Sequence, residues 1–239
     1  GEGSCGQSYR CESTADSSKG EFRYVKLISR ELSDRKGFGD FFEQECQALL
    51  QLEGVGLWPM KDFGIMKWKH WISYEWFEGK AFNPEPDESD PASEERQGFE
   101  VLRTLEDKLR LEPDSITKDT LFGLMTDLHR GLHKAHLNGF IHGNLKPSNI
   151  LITENESNPF QAWIAEFGLY RFGCFKSRGE DGNDESELPT LTLDAQQSHE
   201  MGARFRPKEA QAGVDPEEKW DLFAMGQVVR RVIESGERP

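Results

Sequence analysis

Residues 142–152 read His-Gly-Asn-Leu-Lys-Pro-Ser-Asn-Ile-Leu-Ile, and this stretch constrains the fold more than any other. An amphipathic run precedes it. Leu121, Leu124, Leu128, Leu132 and Ala135 recur every three or four residues, which predicts a helix starting at Ser115 and ended by Asn138-Gly139. The apolar run Ile150-Leu151-Ile152 predicts a short strand after it. The loop between helix and strand packs an imidazole, an ammonium and two carboxamides into eight positions.

At 239 residues the chain can bury one large core or two modest lobes, and a hydrophobic share of 36% marks it as globular. Its apolar runs are far too short to span a bilayer. Gly1-Glu2-Gly3 has neither the basic start nor the apolar stretch of a signal peptide. A net charge of −14 argues against nucleic acid or an anionic membrane as partner. The four cysteines (Cys5, Cys11, Cys46, Cys174) are scattered and form no C-x-x-C pair, which points to a reducing, cytoplasmic setting.

The rest of the chain offers further motifs. Gly1, Gly3 and Gly6 make a G-x-G-x-x-G, where glycine lets the backbone approach an anion and adopt positive φ. The residues after Gly6 read as two strands joined by a polar turn, Glu12 to Lys19, not as the helix a dinucleotide fold requires. The second strand, Glu21 to Ile28, puts Tyr24 and Lys26 on one face by its period of two. A helix is predicted from Asp40 to Leu52, with Asp40 as cap and Glu43 three residues on. Phe42, Cys46, Leu49 and Leu50 form its apolar stripe, and Glu45 lies on the stripe's edge, where a carboxylate wants a cation.

Val55 to Trp76 alternates aromatic and polar residues across short strands. Asn83 to Arg96 reads as a solvated acidic insertion, and Phe99 to Leu111 as a short charged helix. His129, His133 and His136 have metal-like spacing, but no acidic or cysteine ligand shares their register, so they read as surface histidines. Thr153 to Pro159 is a polar turn, Phe160 to Ala165 a strand, and Ser177 to Met201 a long acidic segment.

The loop closely resembles the catalytic loop of eukaryotic-type (Hanks-type) protein kinases, H-R-D-L-K-P-x-N-I-L. It has two departures: Gly143 replaces Arg, and Asn144 replaces the catalytic Asp. Gly1, Gly3 and Gly6 then resemble the kinase glycine-rich loop, with Ser8 in its Val position and Tyr9 matched. Lys26 stands where the family's lysine meets the α- and β-phosphates, and Glu45 where its glutamate pairs with that lysine. Tyr24 takes the place of a small residue that lines the adenine pocket. Tyr74 resembles the gatekeeper, Glu75 to Phe77 the hinge backbone, and Leu151 falls in the nucleotide-binding set. Glu166-Phe167-Gly168 resembles D-F-G, Phe205 to Glu209 the A-P-E region, and Asp221 to Gly226 the D-x-W-x-x-G helix start. His142, Glu209 and Asp221 are structural in this resemblance, with Asp221 anchoring the catalytic-loop backbone.

The resemblance implies an α+β, two-lobed protein-kinase-like fold. Residues 1–79 would form the N-lobe, and residues 80–239 the hinge, the acidic insertion and a partial C-lobe of one domain overall. The chain stops soon after the helix that begins near Asp221. It is therefore read as a piece cut from a longer protein, or as a shortened kinase-like domain.

Phosphoryl transfer asks for a phosphate clamp, metal ligands and a group that receives or orients the hydroxyl proton. The resemblance assigns Lys26 and Glu45 to the clamp, Lys146 to the γ-phosphate, and Asn149 and Glu166, through their oxygens, to a divalent ion. Asn144 breaks the pattern, because a carboxamide cannot take a proton near neutral pH. Loss of a positioned base costs about 10²–10⁴ in rate. Tyr24 and Ser8 are expected to obstruct the base pocket, so Mg-ATP is expected only if that pocket admits it. The expected function is a pseudokinase, a regulatory module acting through protein partners. The alternatives are a weak Mg-ATP-dependent Ser/Thr kinase and a purely structural domain without nucleotide.

Overall fold

A computed structural model describes residues 2–3, 5–14, 19–82, 100–154, 160–173, 175, 204–209 and 217–236. Strands β1 (Glu2–Gly3), β2 (Gly6–Glu12), β3 (Phe22–Ile28), β4 (Met60–Met66) and β5 (Lys69–Glu75) form one antiparallel sheet. Their order is β1-β2-β3-β5-β4. The β1–β2 hairpin closes at Gly6, whose φ is +144°. A Cβ there would lie 1.9 Å from the Leu27 carbonyl oxygen of β3, so only glycine fits this approach.

Helices α1 (Arg30–Ser33) and α2 (Phe38–Leu50) follow β3. Phe38, Phe42, Cys46 and Leu49 of α2 recur every three or four residues and are buried. Phe38, Phe42 and Cys46 make the upper core with Ile28, Ile72, Tyr74 and Phe172, while Leu49 packs into the lower one. Each such side chain contributes roughly 1.5–3 kcal/mol by leaving water. The helix starts two residues before the expected Asp40. Gly37, at φ +82°, is the N-cap and no side chain caps it. Phe38, fully buried, draws the chain into the helix early, and Asp40 sits in the first turn, where a carboxylate suits the helix dipole.

Below the sheet lie α3 (Leu105–Leu111) and α4 (Lys118–Leu137); α5 (Leu169–Gly173) packs against α2, and α6 (Glu218–Gly236) completes the lower part. Two small antiparallel pairs accompany them: β6 (Lys80–Phe82) with β7 (Glu100–Leu102), and β8 (Ile150–Thr153) with β9 (Gln161–Ile164). Leu124, Leu128, Leu132 and Ala135 of α4 pack with Ile150, Ile164, Val228 and Val232 in a lower core.

Two boundaries differ from the sequence reading. Ser115 closes a 3₁₀ turn, Pro113–Ser115, and α4 begins after Thr117, whose side chain accepts from the Thr120 amide. Residues 100–102 are a strand and not part of a helix. The helix waits for the capping box of Thr104 and Asp107. Gly1, Cys174, Asn83 to Arg96 and Ser177 to Met201 lie outside the described residues.

One close approach aims a side chain at the cleft between the lobes. Gly56, at φ +84°, lies so near α4 that a Cβ would sit 2.2 Å from the Asp127 carbonyl oxygen. Its own carbonyl accepts from the Ile164 amide at 2.7 Å, and the Trp58 amide donates to the Ile164 carbonyl at 3.0 Å. The α2–β4 connection is thereby clamped between α4 and β9, with Trp58 at its end.

Candidate functional site

The loop after α4 hangs from one buried carboxylate. Asp221, on α6 and fully buried, accepts from the backbone amides of His142 and Gly143, each at 2.8 Å. It also meets His136 Nε2 at 2.9 Å, so His136 is a supporting contact and not a surface histidine. His129 and His133 are exposed and stacked. The Asn144 amide donates to His142 Nδ1 at 3.1 Å, which leaves the proton on Nε2 to donate to the Ala165 carbonyl at 2.8 Å. Burial pushes the His142 pKa below its ordinary value, and the Asp221 charge opposes this without reversing it. The imidazole is therefore a neutral strut between the loop and the end of β9.

Asn149 is buried and donates Nδ2 to the Asn144 carbonyl at 2.9 Å, holding the loop in its turn. The Asn144 side-chain oxygen accepts from Arg206 Nη2 at 3.4 Å. Lys146 is half-buried. Burial lowers its pKa, the Glu166 carboxylate works to raise it, and Arg206 and Lys26 lower it further. Glu209 lies in an exposed turn.

Lys26 and Glu45 do not pair. The buried Lys26 ammonium donates to Glu166, while Glu45 Oε2 accepts from Arg171 Nη1 at 2.7 Å. Burial works to lower the Lys26 pKa, but the Glu166 carboxylate and its hydrogen bond, with Tyr24 and Cys5, together outweigh it and the value is raised. Packing decides this exchange of partners. Helix α5 follows Gly168 directly, and its Phe172 ring lies 5.3 Å from Phe42 and 6.0 Å from Phe41 of α2. That seam occupies the inner side of α2 and carries Arg171 to Glu45. Glu166, at φ +64°, turns its carboxylate to the lysine instead. The hairpin tip joins the same seam: the buried Cys5 donates its thiol to the Leu169 carbonyl at 3.1 Å.

Tyr24, on the same face of β3 as Lys26, turns into the cleft. Its hydroxyl donates to Ser8 Oγ at 2.5 Å, bridging β3 to β2 above it. Its ring centroid lies 4.8 Å from Trp58. Trp58 stacks on Tyr74 at 4.6 Å and 17°, and its indole donates to the Glu75 carbonyl at 2.8 Å. Phe77 and Leu151 pack on the same cluster. The sequence reading missed Trp58, Arg171, Arg206 and Cys5. Trp58 alone carried a signal, as a large ring with an N–H donor beside a proline in a loop.

The groups expected to receive Mg-ATP are engaged within the chain. The cavity behind the cleft, bounded by Trp58, Tyr74, Glu166 and Phe167 among others, measures about 20 Å³, room for roughly one water. The Glu75 carbonyl, expected at the hinge, already has a donor, and Lys26 is bonded to Glu166. Among the described residues no group of three or more His, Cys, Asp or Glu side chains is placed to hold a metal ion. Of the two expected metal ligands, Glu166 faces Lys26 and Asn149 is bonded within its own loop. Among the described residues no helix is long and apolar enough to cross a membrane.

No protein-family model matches the chain. It is 20% identical over 205 residues to a probable serine/threonine-protein kinase of Clostridium acetobutylicum, covering 86% of this chain and 25% of that protein. It is 23% identical over 171 residues to serine/threonine-protein kinase PknD of Mycobacterium tuberculosis, covering 72% of this chain and 21% of that protein. The chain thus spans a quarter or less of the length of these relatives. A crystal structure of the Mycobacterium tuberculosis PknI kinase domain matches it with a TM-score of 0.61 at 15% identity, over 98% of this chain and 71% of that one. A second PknI kinase domain structure gives 0.60 at 14% identity, over 98% and 70%. The fold is that of a protein kinase, with a small sheet lobe and a helical lobe.

Proposed function

This chain is related to the Hanks-type serine/threonine protein kinases, and we propose that it is a pseudokinase: a kinase-fold regulatory module with little or no phosphotransfer. The observation that carries the reading is Asn144. It stands where the family has its catalytic carboxylate, and its side-chain oxygen is engaged by Arg206. A carboxamide neither takes a proton near neutral pH nor gains that ability from an arginine neighbour. The pairing of Lys26 with Glu166 supports the same reading, since it removes the phosphate clamp. Residues 1–79 serve as the N-lobe and residues 80–239 as the hinge, insertion and partial C-lobe of one domain. Its partners are proteins in a cytoplasmic setting, which the free thiols of Cys5, Cys11 and Cys46 favour.

A second reading, a weak Mg-ATP-dependent Ser/Thr kinase, is favoured by the relatives, which are described as serine/threonine-protein kinases. Radiolabelled ATP with Mg²⁺ and a generic Ser/Thr substrate separates the two. The expected result is transfer at background in the wild type and in Asn144→Asp alike. Turnover near ~1–100 s⁻¹ that vanishes in Lys26→Ala would establish the enzyme instead.

A further inference from the structure

We propose that Trp58 is a built-in occupant of the hinge: its indole holds the place and the hydrogen bond that a planar base would take, so the cleft is filled from within the chain. Both main-chain groups of Glu75 are taken by consecutive residues. Its amide donates to the Pro59 carbonyl at 2.9 Å, and its carbonyl accepts from Trp58 Nε1 at 2.8 Å. The indole lies parallel to Tyr74 and tilted at 58° against Tyr24. Ring centroids at 4.5–5 Å in such arrangements attract beyond their area burial. A flat bicyclic ring stacked on one aromatic face and met at a steep angle by a second ring, with one in-plane N–H on a main-chain carbonyl, is recognition of the kind a purine would need. Here a side chain satisfies all of it.

The occupant is fixed and not a ring that swings in by chance. Its backbone amide is bonded to Ile164, and the glycine two residues before it is wedged against α4. The indole is buried, and the Tyr24–Ser8 bond closes the space above it. The inference rests on reading Glu75 as the hinge. It adds that occlusion comes from the α2–β4 connection as well as from Tyr24. It also identifies the ligand class a vacated slot would take: a flat heteroaromatic with an in-plane N–H, such as indole or adenine.

The test is Trp58→Ala in the full chain, with the thermal midpoint followed against added indole and, separately, adenine. The expected result is a lowered midpoint that each compound raises with concentration, by mass action on the folded state, while the wild type responds to neither. A folded Trp58→Ala protein that ignores both compounds overturns the proposal, as does a wild-type midpoint that rises with adenine. Should Trp58→Ala fail to fold, hydrogen exchange of the wild-type indole N–H decides. It is expected to be at least about tenfold slower for Trp58 than for Trp68, which is 68% exposed. Equal rates overturn the proposal. Phosphotransfer by the wild type would sink the pseudokinase reading whatever indole does. Indifference to indole and adenine would sink only the occupant role of Trp58.

Discussion

Arg171 donates Nη1 to Oε2 of Glu45 at 2.7 Å, tying the one-turn helix α5 to α2. Burial holds the Glu45 carboxyl above its ordinary pKa, and the guanidinium partly offsets this. In Arg171→Ala the offset is gone, so the Glu45 carboxyl is expected to titrate higher still. Carbon NMR of labelled glutamate reads this directly. An unchanged Glu45 titration would reduce Arg171 to a solvated neighbour with no hold on α2.

Asp221 makes a different kind of contact, because it is fully buried and serves three donors at once. Removing its carboxylate leaves the His142 and Gly143 amides unsatisfied in the core. Each orphaned group costs roughly 1–3 kcal/mol, so Asp221→Ala is expected to destabilise the chain by about 2–6 kcal/mol. Asp221→Asn, which keeps one acceptor, should cost less. The urea midpoint of each variant checks the order, and equal midpoints for wild type and Asp221→Ala would refute it.

His70 and His142 set the acid limit of stability. Burial lowers the pKa of both in the folded chain. Neither ring nitrogen of His70 has a hydrogen-bond partner among the described residues, and the ring faces Phe38 and Phe42. The unfolded chain therefore binds more protons than the folded one below about pH 6.5. The contribution of these two histidines is complete above that value and is lost as pH drops through their folded pKa values. A thermal midpoint that declines from pH 7 to pH 5, less steeply in His70→Phe, is expected. A midpoint flat across that window would count against it.

The fold was legible because local patterns and global topology agree. The leucines of α4 recur on one face, and the 142–152 loop and Asp221 carry side chains that only one three-dimensional arrangement brings together. The site was half legible. Period-two geometry put Tyr24 beside Lys26, and the structure turns that ring into the cleft. The partner of Lys26 was not legible, because it depends on how far α2 sits from β3. The Phe41, Phe42 and Phe172 seam sets that distance across residues far apart in sequence. Arg171 lies on a helix of five residues, too short to show any periodicity. Trp58 lies in a loop, where direction comes from a glycine contact with α4 and not from a repeating pattern.

The last expectation concerns ATP itself. Tyr24 and Trp58 obstruct the cleft in series: the Tyr24 ring is tied upward to Ser8, and the indole behind it is tied to Glu75. Wild-type protein is expected to bind ATP more weakly than ~1 mM, above about −4 kcal/mol. Tyr24→Ala clears only the outer layer and leaves the Glu75 carbonyl engaged by the indole, so its gain should be small. Tyr24→Ala with Trp58→Ala clears both, and calorimetry should show the tightest binding there. Even the double variant should gain little from Mg²⁺, since Lys26 and Glu166 still neutralise each other where the phosphates and the ion would lie. If Tyr24→Ala alone binds ATP as well as the double variant, the indole is no barrier and the cleft has a single gate.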